Sequence, residues 1–134
     1  MLVGIIATAL FVLVVVVAAA QGSGGNPEAR KIKNPVAPTA ASIKTGEGVF
    51  KKYCAFCHNA DGKGDGPLAP KDSHPPSLVD DKWGHGSSDG EIFAVIQNGA
   101  GPTSKMKGFK GKLTDQDIWH VINYLRNLAS KDAS

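Results

Sequence analysis

The chain has 134 residues, with 15 basic and 12 acidic side chains and a formal net charge of +3 at pH 7. This length suits one small domain, and the mild charge, with no basic helix or aromatic-interleaved basic run, excludes nucleic acid as a predicted partner. Roughly 90 residues are left for a globular part after the two N-terminal segments described below, which is a thin core unless a cofactor adds apolar bulk.

The first segment, residues 1–20, is uncharged and apolar throughout from Leu2 to Ala20. As a helix it would be about 30 Å long, which matches the hydrocarbon thickness of a bilayer. The Ala18-Ala19-Ala20 run before Gln21 also resembles a signal-peptide cleavage site. The missing basic residues before the run, and its length, favour an uncleaved transmembrane signal anchor.

Residues 21–41 read QGSGGNPEARKIKNPVAPTAA and predict a Gly/Pro-rich tether. The glycine-rich half should be flexible and the proline-rich half extended, with a reach of about 25 Å as a coil and about 60 Å when pulled straight. The alternative is that the proline-rich half packs on the following domain as a belt. Residues 42–134 form that domain.

Three helices and no strands are predicted in this domain, so the fold class is all-α. The first should begin at a Ser42 cap and run into Cys54. A capping-box pattern at Ser88-Asp89-Gly90-Glu91 opens the second, which Gly99 ends. Thr114 opens the last, in which one apolar stripe is formed by Ile118, Val121, Ile122, Leu125 and Leu128.

The motif that organises the domain is Cys54-Ala55-Phe56-Cys57-His58. A Cys-x-x-Cys-His run is typical of c-type haem attachment, in which two thioether bonds hold the porphyrin and the histidine binds the iron. A redox dithiol or half of a zinc site would share the Cys-x-x-Cys part. No βαβ pattern surrounds the motif, and the chain has no other cysteine. The motif therefore predicts one covalently attached haem c with His58 as an iron ligand.

Met106 is the predicted second iron ligand. It is the only methionine besides Met1, and the polar residues around it make a poor setting for a core side chain. Thioether ligation favours ferrous iron and raises the redox potential. The rival ligands are the remaining histidines, His74, His85 and His120, for which a solvated or packing role is the plainer interpretation.

Residues from about 42 to 128 resemble a class I, single-haem cytochrome c domain. The resemblance rests on Gly46-x-x-x-Phe50, the CAFCH motif, a Pro-x-Leu, an isolated methionine and a last helix with Trp119 and Tyr124. The run PPSLVDDKWGHGSSDGEIFAVIQNGAG is similar to haem domains of membrane-bound respiratory complexes, including cbb3-type oxidases. The resemblance implies that the first and last helices cross, with Gly46 and Phe50 near Tyr124, and that loops wrap the haem.

The same resemblance implies that a proline carbonyl accepts a hydrogen bond from the second ring nitrogen of His58. Pro76, in Pro76-Ser77-Leu78, is favoured over Pro67, because Leu78 would then pack on the haem. The family commonly has Met-Pro where this chain has Met106-Lys107, which leaves the rigidity of that loop open.

An iron atom bound on both sides has no open position, so one-electron transfer is predicted rather than an enzyme activity. A peroxidase would need an open site, and a sensor would need an output module. We expect a carrier that is tethered to the membrane and passes electrons between membrane redox complexes. The alternative is a permanently docked haem subunit of a larger complex, either a terminal oxidase or a photosynthetic reaction centre.

The predicted location is the cytoplasmic membrane, crossed once by residues 1–20 in contact with the lipid bilayer. Arg30, Lys31 and Lys33 would by the positive-inside rule draw the following domain to the cytoplasm. The resemblance implies instead that haem is attached on the outer face, so the domain is expected on the periplasmic side.

Four lysines flank Met106, and no acidic residue lies between Thr103 and Leu113. The resemblance implies that the loop carrying this methionine lies beside the exposed edge of the haem. The lysines are therefore expected to attract a redox partner with an acidic docking surface; they are Lys105, Lys107, Lys110 and Lys112. The alternative is that they only keep the loop solvated.

Overall fold

The computed structural model describes residues 24–134, which form five helices. They are α1 (Pro27–Arg30), α2 (Ala40–Tyr53), α3 (Ala55–His58), α4 (Asp89–Asn98) and α5 (Asp115–Asp132). Apart from two isolated bridges, Gly99 with Lys107 and Lys110 with Leu113, this range contains no β-structure. The predicted all-α class is therefore confirmed for residues 24–134.

The predicted transmembrane helix, residues 1–20, lies outside the described residues. Between residues 24 and 134, no helix is both long enough and apolar enough to cross a membrane.

The crossing of α2 with α5 forms the centre of the core. Gly46 lies at the closest point, where a β-carbon would collide with the backbone carbonyl of His120. Next to it, the rings of Phe50 and Tyr124 have centroids 5.3 Å apart. The apolar stripe of α5 is buried at four positions, and its last member, Leu128, packs at the edge of the cluster. The predicted contact between the first and last long helices is thus confirmed.

Helix α4 packs beside α5 and is bounded as the sequence predicted. Ser88 and Glu91 form a capping box at its start, and Gly99, with φ of 91°, ends it. Thr114 and Asp117 form a second capping box at the start of α5. Phe93 of α4 stacks on Trp119 of α5 with centroids 4.2 Å apart, which fixes the two helices side by side.

The predicted Ser42 cap is wrong. Helix α2 begins at Ala40, and its cap is Thr39, whose hydroxyl accepts a hydrogen bond from the Ser42 N–H at 3.1 Å. Ser42 is buried, and its hydroxyl lies 2.8 Å from Nδ1 of His120 on α5. Ser42 serves the helix crossing, and an extended residue three positions earlier caps the helix.

Residues 26–37 pack on the domain, and we refer to them as the strap. The Arg30 guanidinium lies 2.9 Å from Glu91 of α4, and the Asn34 amide donates to Asn123 of α5 at 2.9 Å. The predicted tether over residues 21–41 therefore needs correction in this part, where the belt alternative describes the contacts. Hydrogen bonds between residues so far apart in the chain leave no local pattern in the sequence.

Candidate haem site

A cavity of about 570 Å³ lies between α2, α4, α5 and the irregular loops. Most of its lining is apolar, and its volume is within the usual range of ligand and cofactor sites. The structure brings all six sequence-predicted site residues to this cavity, namely Cys54, Cys57, His58, Pro76, Leu78 and Met106.

Both cysteines are placed by the short turn between α2 and the end of α3. The N–H groups of Cys57 and His58 both donate to the Cys54 carbonyl, at 3.1 and 2.9 Å. This single helical turn presents both sulfur atoms and the imidazole to one cavity. The two thiols are free rather than joined as a disulfide.

The setting of these thiols differs from that of a redox dithiol. Burial, together with the neighbouring Cys57, raises the pKa of the Cys54 thiol to about 12. A reactive dithiol depends on a lowered pKa, because the thiolate is the nucleophile. Within residues 24–134, no group of three His, Cys, Asp or Glu side chains is arranged to hold a metal ion.

His58 is buried, and its Nδ1 makes no hydrogen bond of standard geometry. Burial lowers the pKa of His58, and the nearby backbone carbonyl of Pro76 offsets part of this effect. The histidine is therefore held neutral, which is the form that binds iron. A buried nitrogen with a carbonyl close by suits a metal-bound imidazole whose second nitrogen is held by the backbone.

The Pro76 carbonyl is positioned by the loop that follows His58. Gly64, with φ of 88°, lies so close to Pro75 that a β-carbon would collide with the Pro75 carbonyl. The Leu78 N–H donates to the Gly62 carbonyl at 2.7 Å, so the two loop segments run against each other. Pro67 is not among the residues that line the cavity. The geometry thus favours Pro76 over Pro67 as the carbonyl facing His58.

The loop that carries Met106 is held against the C-terminal end of α4. The Ala100 N–H donates to the Met106 carbonyl at 3.1 Å, and the Met106 N–H donates to the Ser104 hydroxyl at 3.1 Å. Beyond the methionine, the N–H of Phe109 bonds to the Ile96 carbonyl at 2.9 Å. These bonds hold both sides of Met106, although a lysine follows it where the family commonly has proline.

The rival histidines differ in position. His74 and His85 line the cavity, whereas His120 contacts Ser42 at the α2–α5 crossing and is not among the lining residues. Sequence reasoning missed Trp83, which also lines the cavity and donates its indole N–H to the Asp80 carbonyl at 2.9 Å. Its position, as a large aromatic residue in the long loop expected to wrap the haem, is the one feature of the sequence that indicates a place in the cavity.

Comparison with known proteins places this cavity in context. The family model described as "Cytochrome C oxidase, cbb3-type, subunit III" matches residues 41–125. Cytochrome c6 from Synechocystis sp. is 34% identical over 92 residues, which cover 69% of this chain and 70% of that protein. The cbb3-type cytochrome c oxidase subunit CcoP from Azospirillum sp. is 31% identical over 99 residues, which cover 66% of this chain but only 31% of that subunit.

A solved structure shares the fold. It is part of a reducing HAO-like protein complex from Kuenenia stuttgartiensis, with a TM-score of 0.62 and 25% sequence identity. The match covers 70% of this chain and 46% of that one.

Proposed function

This chain belongs to the class I cytochrome c family and matches the family model of subunit III of cbb3-type cytochrome c oxidases, and we propose that it relays single electrons between membrane redox proteins. Bound haem c supplies a one-electron iron couple. In this proposal, Cys54 and Cys57 form the thioether bonds to one haem, and His58 and Met106 are the axial ligands. Pro76 holds the His58 ring, and Leu78 packs on the haem.

The observation that carries the proposal is that His58 and Met106 line the same cavity. The imidazole is held neutral by burial, and the methionine loop is fixed to α4 by backbone hydrogen bonds. Two strong ligands leave no position for substrate, so the chain acts as a carrier rather than an enzyme. A redox titration of the purified chain should show one reversible one-electron transition. A second transition, or turnover of peroxide, would contradict the proposal.

The proposed location is the cytoplasmic membrane, with residues 1–20 as a single-pass anchor and the haem domain on the periplasmic side. The apolar character and length of residues 1–20 support the anchor. The intact mass of the purified protein should equal that of the full chain plus one haem. A mass that begins at Gln21 would show cleavage, and a soluble periplasmic carrier would then be the better description.

The redox partner in this proposal has an acidic docking surface. All four lysines near Met106 are exposed, and Lys105, Lys107 and Lys112 also lie at the edge of the cavity. A second candidate function is that of a permanently docked haem subunit, which the similarity to the oxidase subunit CcoP favours.

A further inference from the structure

The strap, residues 26–37, precedes the part of the chain that the cytochrome family model matches, which begins at residue 41. It nevertheless makes buried contacts with the haem domain. Ala29 is only 4% exposed, and Val36 packs against the hydrophobic core. A segment of low hydropathy that served only as a spacer would not need these contacts.

Two polar contacts fix the strap at separate points. Glu91, which is 2% exposed, receives two hydrogen bonds from the Arg30 guanidinium at 3.1 and 2.9 Å. Asn123, which is 5% exposed, accepts from the Asn34 amide and donates to the Val36 carbonyl at 3.0 Å. Buried polar groups are costly to leave unpaired, so each contact resists release of the strap.

The strap also lies against the backbone of α4. A β-carbon on Gly90 would collide with the Ala29 carbonyl and would come within 2.7 Å of the Ile32 carbonyl. Only glycine at this position lets the strap approach so closely. The contact involves backbone on both sides, so a side-chain rotation cannot relieve a substitution.

The strap fixes where the preceding chain meets the domain. Gly24 lies against the carbonyl of Gly84, in a loop that lines the haem cavity next to the start of α4. The Met106 loop is held at the opposite end of α4, where the Lys110 N–H donates to the Gln97 carbonyl at 3.0 Å. Ten residues of helix separate these ends, a distance of about 15 Å.

We propose that the strap makes this chain a stationary electron relay, with the haem domain held in one orientation close to its anchor. This inference rests on the proposed function, because it takes residues 1–20 as the anchor. Residues 21–25 are then the only segment between the anchor and the strap. Five residues span at most about 18 Å, whereas an open tether over residues 21–41 would reach about 60 Å.

The consequence concerns the partner. A domain on so short a link cannot swing between two partners while its anchor stays in place. Its partner must itself come to the lysine-flanked Met106 loop, at the end of α4 away from the anchor. The distinction between a swinging shuttle and a docked subunit thus depends on whether the strap stays bound.

The first test uses amide hydrogen exchange on the haem-loaded full chain. The N–H groups of Arg30, Ile32 and Val36 are hydrogen bonded and should exchange slowly in the unmodified protein. Gly90→Ala should displace the strap and bring their exchange close to the rate of an unstructured peptide. Gly48→Ala is the matched control, because Gly48 also lies in a helix but has no atom within 4 Å of an added β-carbon.

Should Gly90→Ala fail to fold, the double variant Arg30→Ala with Asn34→Ala removes the two polar contacts of the strap with the domain without adding atoms. It should give the same loss of protection. Fast exchange in the unmodified protein, or protection that persists in both variants, would overturn the proposal.

The second test measures the distance from the bilayer in phosphatidylcholine vesicles. Single cysteines replace Ser87, at the strap end of α4, or Lys110, at the far end; both positions are exposed. A bulky polyethylene-glycol maleimide should label the Ser87→Cys protein several-fold more slowly than the Lys110→Cys protein, and Gly90→Ala should remove the difference. Equal labelling of vesicle-bound protein would overturn the fixed orientation.

The two tests separate failure of this inference from failure of the proposed anchor. If the chain does not float with the vesicles, the anchor is wrong and the short link is overturned with it. The exchange experiment then still decides whether the strap is bound, because it does not need a membrane.

Discussion

At the scale of single residues, Met106 is predicted to fill the sixth iron position, which restricts the iron to electron transfer and excludes reactions that need an open position. Met106→Ala should leave the haem attached, because Cys54, Cys57 and His58 are unchanged. It should open the sixth iron position and lower the redox potential, because the thioether raises it. The absorption spectrum and binding of imidazole or carbon monoxide check this.

His74 and His85 provide the control for this experiment, since both line the cavity. Replacing either with alanine should leave the spectrum and the redox potential close to those of the unmodified protein. If Met106→Ala kept an unchanged spectrum and bound no added ligand, methionine ligation would be wrong.

Glu91 gives a prediction for stability against pH. Burial alone would raise the pKa of Glu91, but hydrogen bonds from Ser88 and Arg30 outweigh it and lower the pKa below its ordinary value. A lowered folded-state pKa stabilises the protein above the unfolded-state pKa, and this stabilisation is lost as the pH falls through the folded-state value.

Glu91→Gln should therefore reduce the free energy of unfolding at neutral pH, and the difference should shrink as the pH falls below about 4.5. Asp117→Asn is the comparison, because Asp117 occupies the same capping position in α5 but forms no ion pair within the described residues. Denaturant unfolding across pH measures both. A Glu91→Gln effect that stays constant down to acid pH would contradict the role given to the charge.

At the scale of elements, the α2–α5 crossing depends on the absence of a side chain at Gly46. Gly46→Ala places a methyl group against the His120 carbonyl, so the helices must separate. Overpacking of this kind costs roughly 1–3 kcal/mol. Gly48→Ala, in the same helix but facing open space, should instead stabilise by up to about 1 kcal/mol through helix propensity. Thermal unfolding of the two variants should shift in opposite directions.

The elements also show what the sequence could predict. The capping box of α4, the start of α5 at Thr114, the stripe of α5 and the Cys-x-x-Cys-His turn are local patterns, in which the residues that interact lie within one or two helical turns. The strap was predicted only as the alternative to a tether, because Asn34 and Asn123 are 89 positions apart and nothing near Asn34 signals its partner. The Thr39 cap was missed because Ser42, an equally good cap, is used by the helix crossing.

The residues of the cavity also divide into those that a local sequence pattern predicts and those that depend on how the chain folds. Cys54, Cys57, His58 and Met106 could be chosen by residue type and spacing alone. The choice between Pro76 and Pro67 needed the close contact of Gly64 with Pro75, which depends on how the long loop folds back. Trp83 lies in that same irregular loop, where no periodicity indicates which side chains face inward.

At the scale of the whole molecule, the lysines near Met106 predict how the chain meets its partner. Lys105→Glu with Lys107→Glu should strongly lower the bimolecular rate of electron transfer at low salt and leave the haem spectrum unchanged. With the unmodified protein, the rate should fall as salt rises, since charges are screened beyond about 10 Å near 0.1 M. Stopped-flow measurement with the physiological partner checks both.

Charge reversal at Lys31 and Lys33 is a suitable control, because these lysines are exposed on the strap side of the molecule. It should change the rate much less. A rate that ignores both salt and reversal at the Met106 loop would mean that these lysines do not face the partner.

The boundary between the strap and α2 has a consequence for how such molecules can diversify. The family match starts at residue 41, one position after α2 begins, so every residue that we propose to hold the haem lies on one side of this boundary. The strap, which we propose sets the orientation of the domain, lies on the other side. From the domain it needs only a glycine at position 90 and two polar partners, Glu91 and Asn123. A lineage could therefore exchange the leading segment, and with it the place where the domain is installed, while the redox unit is inherited intact. The same unit could then serve as a free protein in one organism and as a section of a larger polypeptide in another.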